Sequence, residues 1–298
     1  MKTRYEQIVD VNKIAAMEGK DLQEVIRLAQ QEDFKPALDD GKRVLLLLID
    51  AQNDFMQDIG SLPVSGSKGD VQRITDFIYR NNHAVSRIMC TQDTHFYAQI
   101  FHPCWWVDPD GKNPDPYTTI KYEDYQNGTW MPVYGDIAKS EDYLKHMASI
   151  TIWPYHCLDG SFGGQIEGEL SKMIYFWSVT RRMRPIIVPK GNNPYSEMFG
   201  VIKAEYDPTN YINEPVLRAI EMYDEIYVAG EAGSHCLPIS VQQIIDHFAG
   251  RTEITSKFTI LEDCTSPVQG CENIQRDFFN NFNSKYGIRI AKAADIQL

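Results

Sequence analysis

Along the chain, short unbroken apolar runs alternate with longer stretches in which apolar residues recur every three or four positions. The runs are VLLLLID (Val44 to Asp50), AVSRIMC (Ala84 to Cys90), RPIIVPK (Arg184 to Lys190), EIYVAG (Glu225 to Gly230) and FTILED (Phe258 to Asp263). Each is too short for a membrane span, and VLLLLID is apolar on successive residues, as a strand buried on both faces of a parallel sheet must be. Between the runs lie VQRITDFIYRN, QIEGELSKMIYFWSVTR, EPVLRAIEMY, PISVQQIIDHFAG and ENIQRDFFNNFNSKY, all with helical spacing. This alternation predicts an α/β fold: a three-layer, doubly wound, mainly parallel sheet whose ligand site lies at the carboxyl ends of the strands.

Two regions fall outside that rhythm. From Thr3 to about Gln31 the apolar spacing is that of one or two amphipathic helices, so residues 1–40 are expected to form an N-terminal helical extension to a main domain at 41–298. The stretch from His95 to Ser149 is rich in Pro, Gly, Asp and aromatic residues and longer than an ordinary strand connection. It predicts a lid-like insertion at 96–150.

Composition narrows the function. With 43% hydrophobic and 23% charged residues the chain has the make-up of a soluble globular protein. Its net charge of -12 argues against nucleic acid or an anionic membrane as a partner, since both select clustered Lys and Arg. A small-molecule substrate fits better. The polar N-terminus lacks the apolar stretch of a secretory signal, and six scattered cysteines without CxxC spacing suit free thiols in a reducing compartment. The expectation is a cytoplasmic protein; a homo-oligomer is compatible with the sequence.

Three polar residues stand at strand ends: Asp50, Lys190, and Cys236 just past EIYVAG, where a helical pattern begins. In a doubly wound sheet these ends converge. A thiol attacks as thiolate, and both a helix N-terminus and a nearby ammonium favour that form. Asp50 is then the candidate base and Lys190 the charge that holds the group together. Gly230 and Gly233 permit a tight turn whose N–H groups face an oxyanion. Taken singly, a cysteine at such a turn is as well explained as a small buried apolar residue; the joint placement carries the reading. A second group comprises Asp93 and His95, two apart in TQDTH, with His156 from IWPYHCLDG. One carboxylate and two imidazoles suit Zn²⁺, Fe²⁺ or Mn²⁺ with coordination positions left open.

The motifs LLLIDAQNDF, TQDTH, WPYHCLDGSFG, VPKGNNPYS and GEAGSHC, in this order, resemble the isochorismatase-like cysteine hydrolases, and among them the nicotinamidases. The resemblance covers roughly Arg43 to Leu298. It implies the fold of that superfamily, with Asp50 as general base, Lys190 as its partner, Cys236 as nucleophile, and Asp93, His95 and His156 as ligands of a divalent metal, usually zinc. It implies hydrolysis of nicotinamide to nicotinate and ammonia through a thioester, in NAD salvage, with the metal holding the pyridine nitrogen. Phe55 and Trp153 match the ring-sandwiching positions, and Tyr195 or Phe199 the third ring contact. A cis peptide is implied at Glu231–Ala232, with Ala232 and Cys236 donating to the oxyanion. GEAGSHC departs from the family, which usually has a small apolar residue in place of Glu231. Two alternatives stay open: a related amidase acting on another heteroaromatic or aliphatic amide, and a non-catalytic ligand-binding relative.

Overall fold

The computed structural model describes residues 1–16 and 22–298; the part of the expected N-terminal helices at 17–21 lies outside the described residues. Six strands form the central sheet: β1 (Val44–Ile49), β2 (Arg87–Asp93), β3 (Ile186–Lys190), β4 (Glu225–Gly230), β5 (Phe258–Leu261) and β6 (Arg289–Ala291). Their order is β3-β2-β1-β4-β5-β6, and every pairing is parallel. The chain winds outward from β1 to one edge and then restarts on the other side at β4. The crevice at the carboxyl ends of β1 and β4 is therefore the topological switch point, where ligands of such sheets bind.

Alternation along β1 builds both layers. Val44, Leu46 and Leu48 enter a core with the helices Ser67–Arg80 and Gly168–Thr180, whereas Leu45, Leu47 and Ile49 pack against Glu214–Glu221, Cys236–His247 and Glu272–Tyr286. None of the six is more than 2% exposed, and burying each side chain contributes about 1.5–3 kcal/mol. Helix Glu272–Tyr286 stops where Gly287 takes the left-handed conformation, φ +67°, and the chain then adds β6, a three-residue strand too short to stand out in the sequence.

The second strand lies three residues beyond its expected place. Val85 N–H donates to Asn81 O at 3.0 Å, which keeps Ala84 and Val85 in the turn after helix Ser67–Arg80. At its far end, Thr91, Gln92 and Asp93 pair with Val188, Pro189 and Lys190. Pro189 is tolerated because β3 is an edge strand. This register sets Asp93 directly beside Lys190.

Before β1, Val25, Leu28 and Ala29 of helix Leu22–Ala29 bury against the layer that contains Gly168–Thr180. Residues 96–150 carry a core of their own, in which Trp105, Trp106, Ile120, Tyr143, Leu144 and Ile150 pack together. Two antiparallel strand pairs, Trp106–Val107 with Met131–Pro132 and Thr119–Lys121 with Ser149–Thr151, frame it. No helix among the described residues is long and apolar enough to cross a membrane.

Candidate active site

The DAQNDF segment leaves β1 in a conformation that only a tightly held residue sustains. Asp50 has φ +42° and is fully buried, a backbone state of the kind that collects at functional sites. Gln52 explains part of the hold: its side-chain amide accepts from Asp93 N–H and donates to Asp93 O, both at 2.8 Å, and donates to Gly164 O at 2.8 Å. The ends of β1 and β2 are thereby clasped. Asp54 performs the same service for the next loop, accepting from Cys157 N–H at 2.7 Å beside His156. Neither role is visible in the sequence, although both residues belong to the quoted motif.

Lys190 is the hub. Its buried Nζ lies 2.8 Å from Asp50 Oδ2 and 2.5 Å from Asp93 Oδ1, donates to Met198 O at 3.1 Å, and is 3.7 Å from Cys236 Sγ. The approach to Asp50 Oδ2 is close but lacks hydrogen-bond alignment, so that oxygen remains open to a further donor. Burial alone would neutralise the lysine, but two adjacent carboxylates reverse this and hold its ammonium well above the ordinary range. Burial pushes the Cys236 thiol well up; Lys190 opposes this, while Asp50 and Asp93 add to it. Cys236 therefore rests as a thiol beside Asp50 and needs a base. Asp50 suits that role, since burial set against Lys190 brings its carboxyl up to about 6, and Thr91 Oγ1 fixes its other oxygen at 2.5 Å.

Asp93, His95 and His156 converge, with one ligand atom from each within 4.8 Å of the others. His95 Nδ1 is 3.0 Å from Gly191 O and His156 Nδ1 is 2.8 Å from Pro154 O. Each bond assigns the proton to Nδ1 and leaves the Nε2 lone pair for a metal. His95 Nε2 stands 3.5 Å from Asp93 Oδ2, close to the separation of about 3.4 Å kept by two ligands of a tetrahedral ion. Burial, followed by the charge of His95, lowers His156 to about 3, so it is the neutral imidazole that coordination requires. The donor set fits a divalent cation. Gly191 is required here: its φ is +78°, and a Cβ would fall 2.7 Å from His95 Cε1.

Cys236 opens helix Cys236–His247 after a turn whose backbone is largely committed. Gly233 N–H donates to Ser266 O, and His235 and Leu237 N–H both donate to Ala232 O. Among the described residues the N–H groups of Ala232 and Cys236 make no such bond, which leaves them for an incoming oxygen. The Glu231–Ala232 peptide is cis.

Above these groups lies an apolar cavity of about 540 Å³ including its open mouth, walled by Phe55, Phe101, Trp153, Phe199 and the thiol and metal-ligand residues. Its aromatic walls suit a flat ring. Phe55 meets the His156 ring edge-on at 5.7 Å. Of the two candidates for a third ring contact, Phe199 lines the cavity and Tyr195 does not. Tyr195 instead packs on Trp105 at 5.4 Å and accepts from Asp136 N–H, because it precedes the bend that turns the chain back toward Lys190. Phe101 and Glu197 also reach the wall, unforeseen in the sequence. Glu197 accepts from Trp153 Nε1, and burial raises its carboxyl to about 8. No short motif marks either residue.

No family model matches the chain. Among proteins of known activity, a nicotinamidase of Saccharomyces cerevisiae is 26% identical over 225 residues, spanning 75% of this chain and 88% of the relative. In three dimensions the chain is similar to a yeast nicotinamidase bound to the inhibitor nicotinaldehyde, with TM-score 0.59 and 20% identity over 84% of this chain and 99% of that one. It is also similar to a pyrazinamidase of Pyrococcus horikoshii in complex with zinc, with TM-score 0.51 and 15% identity over 84% and 98%. In sequence the chain is thus similar to nicotinamidases, and in fold to the nicotinamidases and pyrazinamidases of the isochorismatase-like architecture.

Proposed function

We propose that this protein is a nicotinamidase, a cysteine amidohydrolase that converts nicotinamide to nicotinate and ammonia in NAD salvage. One observation carries the reading: a single buried lysine touches the thiol, its candidate base and a carboxylate of the metal-ligand group, at the floor of a cavity walled by aromatic side chains. The sequence similarity to a nicotinamidase points the same way. Asp93, His95 and His156 would hold a divalent metal, for which we propose zinc, the ion in the similar Pyrococcus horikoshii pyrazinamidase. When bound, the ion supplies a Lewis acid that fixes the ring nitrogen and so orients the carboxamide. We further take residues 41–298 as the hydrolase domain, 1–40 as its helical extension and 96–150 as a lid-like insertion.

The chain's own residues perform the hydrolysis. Asp50 takes the proton of Cys236, and the sulfur attacks the carboxamide carbon while Ala232 and Cys236 N–H stabilise the oxyanion. Asp50 then passes that proton to the departing nitrogen as the C–N bond breaks, leaving a thioester and ammonia. Water attacks the thioester with Asp50 as base, and the proton returns to the sulfur as nicotinate leaves. Lys190 keeps its charge throughout and stabilises both thiolate and carboxylate. Phe55, Trp153 and Phe199 enclose the ring and exclude water.

Glu197 favours a second reading, a related amidase acting on a heteroaromatic amide whose ring bears a hydrogen-bond donor. Ammonia release from nicotinamide and from amino-substituted ring amides, with metal content measured on the same sample, separates the two. Rapid release from nicotinamide with about one metal per chain is expected; a strong preference for the substituted amides would replace the first reading with the second.

A further inference from the structure

Behind the turn that carries the candidate oxyanion donors lie two carboxyl groups that the hydrolytic scheme does not use. Glu231 and Asp70 are each 1% exposed. Glu231 follows β4 at the start of the turn, and Asp70 stands in the first turn of helix Ser67–Arg80. Their side chains face one another, with the Ser266 side chain beside Asp70, and among the described residues Glu231 Oε1 and Asp70 Oδ2, both shut away from solvent, have no hydrogen-bond partner. Carboxylates only accept, so two of them bond to each other only when one carries a proton. The charges around the pair do not replace that proton. Arg73 from the same helix meets Asp70 Oδ1 at 2.8 Å and gives its Nε–H to Asp263 O. Asp263 and the Cys264 thiol, following β5, supply no cation. Ser266 N–H reaches Glu231 Oε2 at 3.4 Å.

The pair also sits at a mechanical junction. Glu231 N–H donates to Ile49 O at 2.8 Å, tying the turn to the end of β1, one residue before Asp50, and Gly233 N–H donates to Ser266 O at 2.8 Å. Asp70, facing Glu231, brings the helix up against the same turn. The peptide that follows Glu231 presents the N–H of Ala232, a residue of the cavity wall.

We propose that Glu231 and Asp70 share one proton, and that this bond holds the turn so that Ala232 and Cys236 N–H face the reacting carbonyl. Glu231 is a positioning residue, and this role rests on the hydrolase reading above. Burial and Asp70 both raise the Glu231 carboxyl well above the usual range, which agrees with a proton retained at neutral pH. The charged Asp70 and neutral Glu231 together form one acceptor–donor unit, which Gln reproduces at the Glu231 position and Ala does not.

The test uses the metal-loaded full chain and its E231A, E231Q and D70N variants. E231A is expected to lower kcat for nicotinamide about tenfold or more with KM within about twofold, since the lost contact acts on the oxyanion donors and not on the ring. E231Q should recover kcat to within about threefold, because its amide N–H donates to Asp70. In the infrared difference spectrum at neutral pH, wild type minus E231Q should show a protonated-carboxyl stretch, and D70N should shift that band, because burial still keeps the Glu231 proton while its acceptor has changed. A spectrum unchanged by E231Q, or an E231Q enzyme as impaired as E231A, overturns the proposal. An inactive wild type that nevertheless shows the band loses the hydrolase reading and the positioning role with it, and keeps the shared proton.

Discussion

Asp50 and Asp93 leave neighbouring strands side by side, are both buried, and both reach the same lysine, yet their surroundings drive them in opposite directions. Asp50 faces a thiol and the Thr91 hydroxyl, and burial carries its carboxyl up to about 6 in spite of Lys190. Asp93 is buried as well, but Lys190, followed by His95, outweighs desolvation and holds it well below the ordinary carboxylate range. One ammonium at a strand end thus serves two purposes. On the thiol side it leaves a carboxyl that can still accept and return a proton near neutrality; on the imidazole side it completes an anion that stays charged for a cation. The register of β2 against β3 makes this economy possible, because Asp93 and Lys190 are direct partners.

The largest effects should fall on the thiol side. Cys236→Ala removes the sulfur that lies 3.7 Å from Lys190 Nζ, and should lower turnover by about 10⁴-fold or more with metal content unchanged. Activity above about one per cent of wild type would sink the nucleophile assignment. Asp50→Asn keeps the shape of the site but not its proton acceptor, and a loss of about 10²–10⁴ in kcat is expected. The thiol should also become slower to alkylate at neutral pH. If Asp50→Asn alkylates as fast as wild type, Asp50 is not the base that ionises Cys236.

The same substitution on the imidazole side sharpens the contrast. Asp93→Asn deprives Lys190 of one carboxylate, as Asp50→Asn does, so any general cost to the lysine is common to both. Only Asp93→Asn should release the metal, with occupancy falling by about 10-fold or more at a fixed buffered concentration. KM for nicotinamide should rise more than kcat falls, since ring orientation is lost before chemistry. Equal metal content in the two variants, read by inorganic mass spectrometry, would break the division of labour between the carboxylates.

The sheet was legible because β1 is apolar on successive residues and its neighbours repeat that pattern between helical stretches. Asp50, Lys190 and Cys236 were legible for the same reason: a polar residue closing an apolar run marks the end of a strand, and the ends of parallel strands converge. What local pattern could not supply was the start of β2, which a hydrogen bond from Val85 to Asn81 sets after the helix closes. Nor could it distinguish Tyr195 from Phe199, since Tyr195 packs on Trp105 in the insertion, a contact that only the folded chain makes. The partners of Gln52, Asp54 and Glu231 lie on other elements and appear only when the chain is folded. A glutamate in a turn otherwise built of small residues was the one signal, and it pointed to an anomaly without naming Asp70.

The smallest effect is the most direct reading of the difference between the carboxylates. A base with a carboxyl raised to about 6 is ionised above that pH and protonated below it, so the proton acceptor is present at neutrality and is lost as pH falls. The profile of kcat/KM, which reports the free enzyme, should be flat above about 6 and then decline about tenfold per unit of pH on the acid side. Asp93, held well below the usual range, should contribute no limb near neutrality. The same measurement on Asp50→Asn should abolish the acid limb and leave a low, flat residual rate over the range where metal stays bound. If the limb persists unchanged in that variant, the proton acceptor is another group, and the contrast between Asp50 and Asp93 would be one of packing alone.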